Sequence, residues 1–458
     1  MIPYWASLFF VLSTYSAEPV DLILSGRQVV TMDAAQRIIA NGAVAIKGER
    51  IVAVGPRADI DKAYKAKLRI HRPDALITPG LINTHTHAPM SLFRGIADDL
   101  RLQDWLEKYI FPAEARNVTP EFVRAGTQLA VLEMLLGGTT TYTDMYYFEE
   151  VIAEATAAAG MRAVLGQTII AFPVPDAKTP QLALARAEAF LKQFAGHRLI
   201  TPAVAPHALY TNSDETLQAA RALANKYAAP LLIHVAETKR EFDESKQKRG
   251  LTPVQALAKL GVFDGRTVAA HSIWLEEEDI ATLARKQVGV AHCPSSNMKL
   301  SSGVAPLPKL LKLGVALGLG PDGPAGSNND FNLFEEMDLA AKLQKVITMD
   351  PEALPAKTAF TMATIGGARV LGLEKEIGSI EPGKRADVIA IRLDAPHAWP
   401  MFNVYSQLVY ALKASDVNDV IVNGKLLVRD RKTLTLDKSK IQAEAERYLG
   451  RIRKSITY

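Results

Sequence analysis

The chain opens, from Val20 onward, with short apolar runs broken by turn residues. Residues 20–24 precede Gly26, 28–32 precede Asp33, 43–46 precede Lys47-Gly48-Glu49, and 51–54 stop at Gly55-Pro56. Runs of this length punctuated by glycine predict antiparallel strands. The same texture returns after Gly378, with apolar runs at 388–391 and 417–422, the second turning at Asn423-Gly424. Asn-Gly after an apolar run is a strong hairpin signal. Between these ends the rhythm changes to apolar run, then helical segment. Eight runs stand out, at 75–83, 139–143, 162–168, 200–206, 231–235, 267–270, 288–291 and 315–320. They are apolar nearly throughout, as strands buried on both faces should be. The clearest helix has Thr119 as N-cap and Pro120 in its first turn and stops at Gly137-Gly138; another runs from Ser213 to about Tyr227.

Eight strand–helix alternations predict an α/β fold, a (β/α)8 TIM-like barrel. An open doubly wound sheet is the alternative, but no Gly-x-Gly-x-x-Gly follows the first strand. The expected organisation is a composite β-sandwich from residues 18–74 and 378–430, a barrel over 75–377, and a C-terminal helix over 431–458. Residues 1–17 carry no charged side chain, contain Trp5, Leu8, Phe9, Phe10, Val11 and Leu12, and end on Ser16 and Ala17. That pattern is too short for a comfortable membrane span and is similar to the apolar core of a secretory signal, though without its early Lys or Arg. If it is one, the mature protein is periplasmic or secreted; otherwise it is cytoplasmic. No other segment suggests a membrane span, so none is expected after processing.

Composition then removes several function classes. Hydrophobic residues are 48 % and charged residues 22 % of the 458, which is ordinary globular usage and excludes disorder for most of the chain. Lys+Arg is 53 against 49 Asp+Glu, a net charge of only +4. The densest basic stretch, 239–249, is interrupted by Glu241, Asp243 and Glu244. It predicts a solvated helix face, and no nucleic-acid partner is expected. The single cysteine, Cys293, rules out disulfides and all-cysteine metal sites.

The chemistry concentrates at strand ends. Five of the nine histidines sit at or just past the C-terminal ends of expected barrel strands: His85 and His87, His207, His234 and His271. Asp322 does so after the eighth. That face of a barrel is where active sites assemble. His85-Thr86-His87 puts two imidazoles on one side of a strand. Such a pair can share one transition metal, with zinc the default and Fe2+, Mn2+ or Ni2+ as alternatives. Alone the pair is weak evidence; the recurrence of His234, His271 and Asp322 at equivalent places strengthens it. Glu237, three residues after His234, is suited to take a proton from the attacking water and deliver it to a substrate nitrogen. By itself it reads equally as a surface acid opening the next helix.

Pro79-Gly80-Leu81-Ile82-Asn83-Thr84-His85-Thr86-His87 resembles the first-strand motif of the amidohydrolase superfamily. The resemblance runs from about Val20 and includes Gly383-Lys384-Arg385-Ala386-Asp387, similar to the return of the chain into that family's β-sandwich. The subgroup it most resembles is the 5-methylthioadenosine/S-adenosylhomocysteine deaminases. The resemblance implies one divalent metal on His85, His87, His234 and Asp322. It implies that Glu237 shuttles protons and that His271 helps Asp322 orient and activate the attacking water. Two-metal members place a carboxylated lysine at the end of strand four; residues 200–207 contain none, so one metal is expected. Trp105 and Glu114 lie in a stretch similar to the subgroup's substrate loop, where the tryptophan packs on the ligand and the acid accepts from both ribose hydroxyls. Alone, Glu114 would be a helix cap or surface acid. Pro206-His207-Ala208-Leu209-Tyr210 resembles a nucleoside-binding motif; the bland reading of His207 is a satisfied structural histidine.

Two departures stand out. Pro321 replaces the usual threonine, and the loop Asp322-Gly323-Pro324-Ala325-Gly326-Ser327-Asn328-Asn329 is one residue longer than its counterpart, which puts its serine contact in question. The arginines that bind homocysteine in the subgroup cannot be placed. His292 and Cys293 read as packing residues. The expected activity is hydrolytic deamination of adenosine-type nucleosides, with guanine, pterin or triazine rings as alternative substrates and a non-catalytic scaffold as a third reading. A homo-oligomer is compatible with the resemblance.

Overall fold

The computed structural model describes residues 17–455. The expectation of a secretory leader therefore lies, but for Ala17, outside the described residues. Eight parallel strands close into a barrel in chain order: Leu81–Thr86, Thr139–Tyr146, Arg162–Ile169, Ile200–Pro206, Leu231–Val235, Thr267–His271, Gly289–His292 and Leu317–Leu319. Helices lie between successive strands, and nearly every strand residue is buried, which is why these runs lack the alternation of a half-exposed strand. Thr119 and Ser213 cap their helices as expected, accepting from Phe122 N and Thr216 N. Among the described residues no helix is long and apolar enough to cross a membrane.

The two ends of the chain form a separate mixed sheet of nine strands. Its order runs from Lys432–Thr433 through Lys425–Arg429, Val417–Val422, Val388–Arg392, Tyr64–Pro79, Glu18–Val30 and Gly42–Lys47 to Arg50–Pro56, with Ile38–Ala40 on a side branch. Two expectations are corrected here. The run 75–83 is not one barrel strand. Ala75 to Pro79 pair with Arg392 to Val388 in the outer sheet, and the barrel strand begins at Leu81. The apolar pattern cannot show this break, because both sheets bury their share of the run. Gly80 makes the passage: a Cβ there would lie 2.1 Å from Thr140 Oγ1. The segment after 430 is also not all helix. The sheet takes Lys432–Thr433 first, and the helix runs Lys438–Ser455.

The motif Gly383-Lys384-Arg385-Ala386-Asp387 joins sheet and barrel. Arg162, at the start of the third barrel strand, donates from Nε to Asp387 Oδ2 at 2.8 Å and from Nη2 to Oδ1 at 3.2 Å. The same Nη2 reaches Asn423 Oδ1 in the hairpin turn at 3.1 Å. Arg162 and Asp387 are both buried. Arg162→Leu leaves that carboxylate without its ion partner, and breaking one side of a buried pair costs about 3–5 kcal/mol. A denaturant titration should show that loss; a change below about 1 kcal/mol would mean the pair is solvated in practice.

Candidate active site

The strand ends deliver their side chains to one buried chamber. His85 and His87 leave the first barrel strand, His234 the fifth and His271 the sixth, and Asp322 follows the eighth. Donor atoms of His85, His87 and Asp322 all lie within 4.8 Å of one another, and so do those of His85, His234 and His271. Asp322 Oδ1 is 3.1 Å from His85 Nε2 and 3.3 Å from His87 Nε2.

The outer nitrogens settle how these rings present themselves. His87 Nδ1 donates to the Met145 carbonyl at 2.7 Å and His234 Nδ1 to the His207 carbonyl at 2.8 Å. A carbonyl can only accept, so Nδ1 carries a proton in both rings and Nε2 is the nitrogen left for an ion. His85 Nε2 is buried with no hydrogen-bond partner. Burial pushes His85 down to about 4, against the pull of Asp322, so this ring is neutral at pH 7. Three imidazoles beside one carboxylate form the donor set that suits a divalent transition metal. The residues present fit the expected ion.

Backbone strain marks the same places. His271, Ser272, Ala236 and Asp322 adopt left-handed φ of +68°, +50°, +49° and +63°. Non-glycine residues hold such angles only where the surroundings over-determine them, commonly at active sites.

Around this core sit groups of the reacting kind. Glu237 is buried, and burial raises its carboxyl above the ordinary value; its Oε2 is 3.9 Å from His271 Nε2. Two residues that sequence reasoning missed hold His271 and Asp322. Both open the short helix Pro294–Lys299: Ser296 Oγ donates to Asp322 Oδ2 at 2.7 Å, and Asn297 Oδ1 accepts from His271 Nδ1 at 2.9 Å. The signal lay close by, because Ser296 and Asn297 follow His292 and Cys293, which read only as packing residues. Both of those are fully buried. Cys293 Sγ donates to the Ala291 carbonyl at 3.7 Å. His71, His197 and His397 are exposed.

The far wall carries the other candidates. The substrate-loop stretch is helical, a π turn over Trp105–Ile110 running into Phe111–Asn117. Glu114 lies in that second helix and is buried, so it is neither an exposed acid nor an N-cap. Tyr146 donates to its Oε1 at 2.7 Å and Tyr147 to its Oε2 at 3.4 Å. Burial pushes Glu114 up to about 7, with both tyrosines pulling it down. Each oxygen keeps a second lone pair for a ligand. The two tyrosines were not predicted; Tyr146 ends the second barrel strand and Tyr147 follows it, both beyond the run read as apolar. Trp105 Nε1 donates to Ala325 O at 2.9 Å, so this indole also buttresses the loop after Asp322. Gly326 in this loop has φ of +118°, and a Cβ there would lie 1.9 Å from Ala97 O. The loop's serine, Ser327, is turned onto its own backbone and donates to Gly323 O at 2.6 Å. His207 Nδ1 is 3.1 Å from Thr211 Oγ1, and burial holds this ring down to about 3, neutral. The chamber between these walls is lined by His87, Trp105, Glu114, His207, Glu237 and Asp322 among others.

The amidohydrolase family profile matches residues 76–427, most of the chain. The chain belongs to the amidohydrolase family. A shorter match, residues 42–64 in the outer sheet, is to an imidazolonepropionase-like composite domain of bacteria. This amidohydrolase is 46 % identical over 435 residues to the 5-methylthioadenosine/S-adenosylhomocysteine deaminase of Thermodesulfovibrio yellowstonii, covering 94 % of this chain and 99 % of that one. Among solved structures, an adenosine deaminase from Xanthomonas campestris with bound zinc superposes with a TM-score of 0.94 at 40 % identity, covering 96 % of this chain and all of that one. The zinc complex of atrazine chlorohydrolase from Arthrobacter aurescens TC1 is more distant, with a TM-score of 0.86 at 25 % identity over 93 % of this chain and 100 % of its own.

Proposed function

We propose that this amidohydrolase deaminates adenosine-type nucleosides by hydrolysis, releasing ammonia and the inosine-type product. Adenosine, 5′-deoxyadenosine, methylthioadenosine and S-adenosylhomocysteine are the candidate substrates. The observation that carries the reading is the pairing, in one buried chamber, of Glu237, His271 and Asp322 on one wall with a tyrosine-held carboxylate, Glu114, on another. The relatives' names point the same way: a deaminase at 46 % identity and an adenosine deaminase structure at a TM-score of 0.94. The enzyme is thereby a hydrolase of carbon–nitrogen bonds.

His85, His87, His234 and Asp322 would hold one divalent ion, and zinc is the metal we propose. When bound, such an ion lowers the pKa of a water molecule toward about 7 and supplies a nucleophile at neutral pH. The remaining work falls to this chain's own groups. Glu237 takes a proton from the attacking water and passes it to purine N1 as the C6–O bond forms. His271 and Asp322 orient that water. The water's second proton leaves with the C6 amino group when the C6–N bond breaks, so one water is consumed per ammonia released. Glu237 suits the task because burial has already moved its carboxyl toward neutrality. Neutral His207 offers a hydrogen bond to the base or sugar, and Trp105 closes the chamber over the ligand.

Glu114 supplies the specificity. A carboxylate matches the two donors of a vicinal diol, and free bases have no diol. Glu114→Ala should raise KM for nucleosides roughly tenfold to a hundredfold, the worth of one to two hydrogen bonds to a charged group. Ammonia release would be followed for the four nucleosides and for free adenine and guanine. Turnover of nucleosides alone supports the assignment. Turnover only of free bases, or an unchanged KM in the variant, would move the substrate to another heterocycle.

A further inference from the structure

We infer that Glu241 is a positioning residue that sets the backbone carrying Glu237. Glu241 lies in the first turn of helix Lys239–Arg249, in the stretch whose charges were expected to be solvated. Most of them are: Lys239 pairs with Asp243, and Arg240 and Lys248 pair with Glu244, all as exposed i,i+4 partners. Glu241 is the exception. It is buried, and its two oxygens accept from Ala236 N at 3.2 Å and Glu237 N at 2.8 Å.

Helix capping explains only part of this. Thr238 Oγ1 accepts from Glu241 N, the usual N-cap bond. In a capping box the acid at this position returns to the N-cap residue's own N–H. Here the carboxylate passes Thr238 and takes the two N–H groups before it. Those groups belong to a strained turn, since Ala236 has φ of +49°. The turn's carbonyls face the other way. Val235 O accepts from Ser272 N, and Ala236 O accepts from Ile273 N and Trp274 N. The segment that presents Glu237 is therefore clamped from two sides. The loop after the sixth strand takes its carbonyls, and one side chain takes both N–H groups. Among the described residues, both side-chain hydrogen bonds of Glu241 go to this turn and none to the metal-ligand set. Its influence on the reaction passes through where Glu237 is held, and misplacing a catalytic group by about 1 Å can cost on the order of a hundredfold in rate.

The inference rests on the proton-shuttle reading of Glu237, so the experiment separates the two. Glu241→Gln, Glu237→Gln and the double variant would be prepared as full-length, zinc-loaded enzyme. Each would be measured for kcat, KM, zinc per chain and thermal midpoint. Glutamine keeps one acceptor and turns an amide donor toward the second N–H. The expected result for Glu241→Gln is a fall in kcat of about ten- to a hundredfold, KM changed less than about threefold, and unchanged zinc content. Added to Glu237→Gln, it should cost less than about threefold more, because residues acting as a unit are not additive. A purely structural residue would subtract its full effect in both backgrounds. The inference is overturned if Glu241→Gln keeps kcat within threefold of the parent, if the two losses add, or if zinc is lost with the change. Should Glu241→Gln not fold, Glu241→Asp, one methylene short of the turn, reads the same quantities. Near-normal turnover in Glu237→Gln alone would instead overturn the proton-shuttle reading.

Discussion

Glu237→Gln should retain its zinc and lose about 10³-fold or more in kcat, with KM for the nucleoside little changed. The side chain is close to isosteric, and Glu237 is not among the groups whose donor atoms converge on the metal position. What the change removes is a group that can give and take a proton. Proton transfer by a positioned carboxyl contributes typically 10²–10⁴-fold. Glu237 stands at the upper end for two structural reasons. It is buried, so no bulk water substitutes for it, and it lies 3.9 Å from His271, which the proposed mechanism sets beside the attacking water. Steady-state kinetics with metal analysis on the same preparation decides the matter. Turnover within about tenfold of the parent would assign the proton to another group.

Asp322→Asn should leave the fold intact, weaken zinc binding by more than about a hundredfold, and abolish measurable turnover at ordinary zinc concentrations. Asparagine is chosen because position 322 has φ of +63°, and asparagine tolerates left-handed backbone as aspartate does. Its side chain keeps an oxygen for Ser296 Oγ. The lost quantity is the negative charge. Asp322 is held well below the ordinary carboxylate range: burial works against ionisation, and His85 and His87 overcome it. With that charge removed, three imidazoles remain and nothing in the ligand set balances a dication. Zinc titration of the apo-variant, beside circular dichroism to confirm the fold, reads both halves. Parent-like zinc affinity in a folded Asp322→Asn protein would remove Asp322 from the ligand set.

Much of this enzyme could be read before any coordinates, and what could be read shares a cause. Histidines at strand ends, the two-residue spacing of His85 and His87, and the caps at Thr119 and Ser213 are local. Each follows from backbone periodicity or from a hydrogen bond spanning three residues. The motifs at residues 79–87 and 383–387 added the family, and with it the expected ligand set for the metal. Two strand boundaries failed for a related reason. Hydrophobic pattern reports burial and not which sheet does the burying, so the run from 75 to 83 concealed the break at Gly80. Likewise Lys432–Thr433 were taken for helix because two residues carry no period.

The sequence by itself determined the barrel, the outer sheet and the set of side chains that meet at the strand ends, because strand period and chain order suffice for them. Tertiary structure alone decided what holds those side chains in place. Tyr146 and Tyr147 reach Glu114 across 32 and 33 residues. Asn297 and Ser296 each reach back or forward 26 residues to His271 and Asp322. Arg162 meets Asp387 across 225. Such pairs exist only once the barrel has closed, since closure fixes which strand ends are neighbours. Glu241 is the limiting case. Its partners are four and five residues away, yet nothing in the spacing tells a buried clamp from a solvated helix face. The choice between them is made by the loop after the sixth strand, which takes the turn's carbonyls and leaves its N–H groups buried, where only an inward-facing carboxylate can satisfy them.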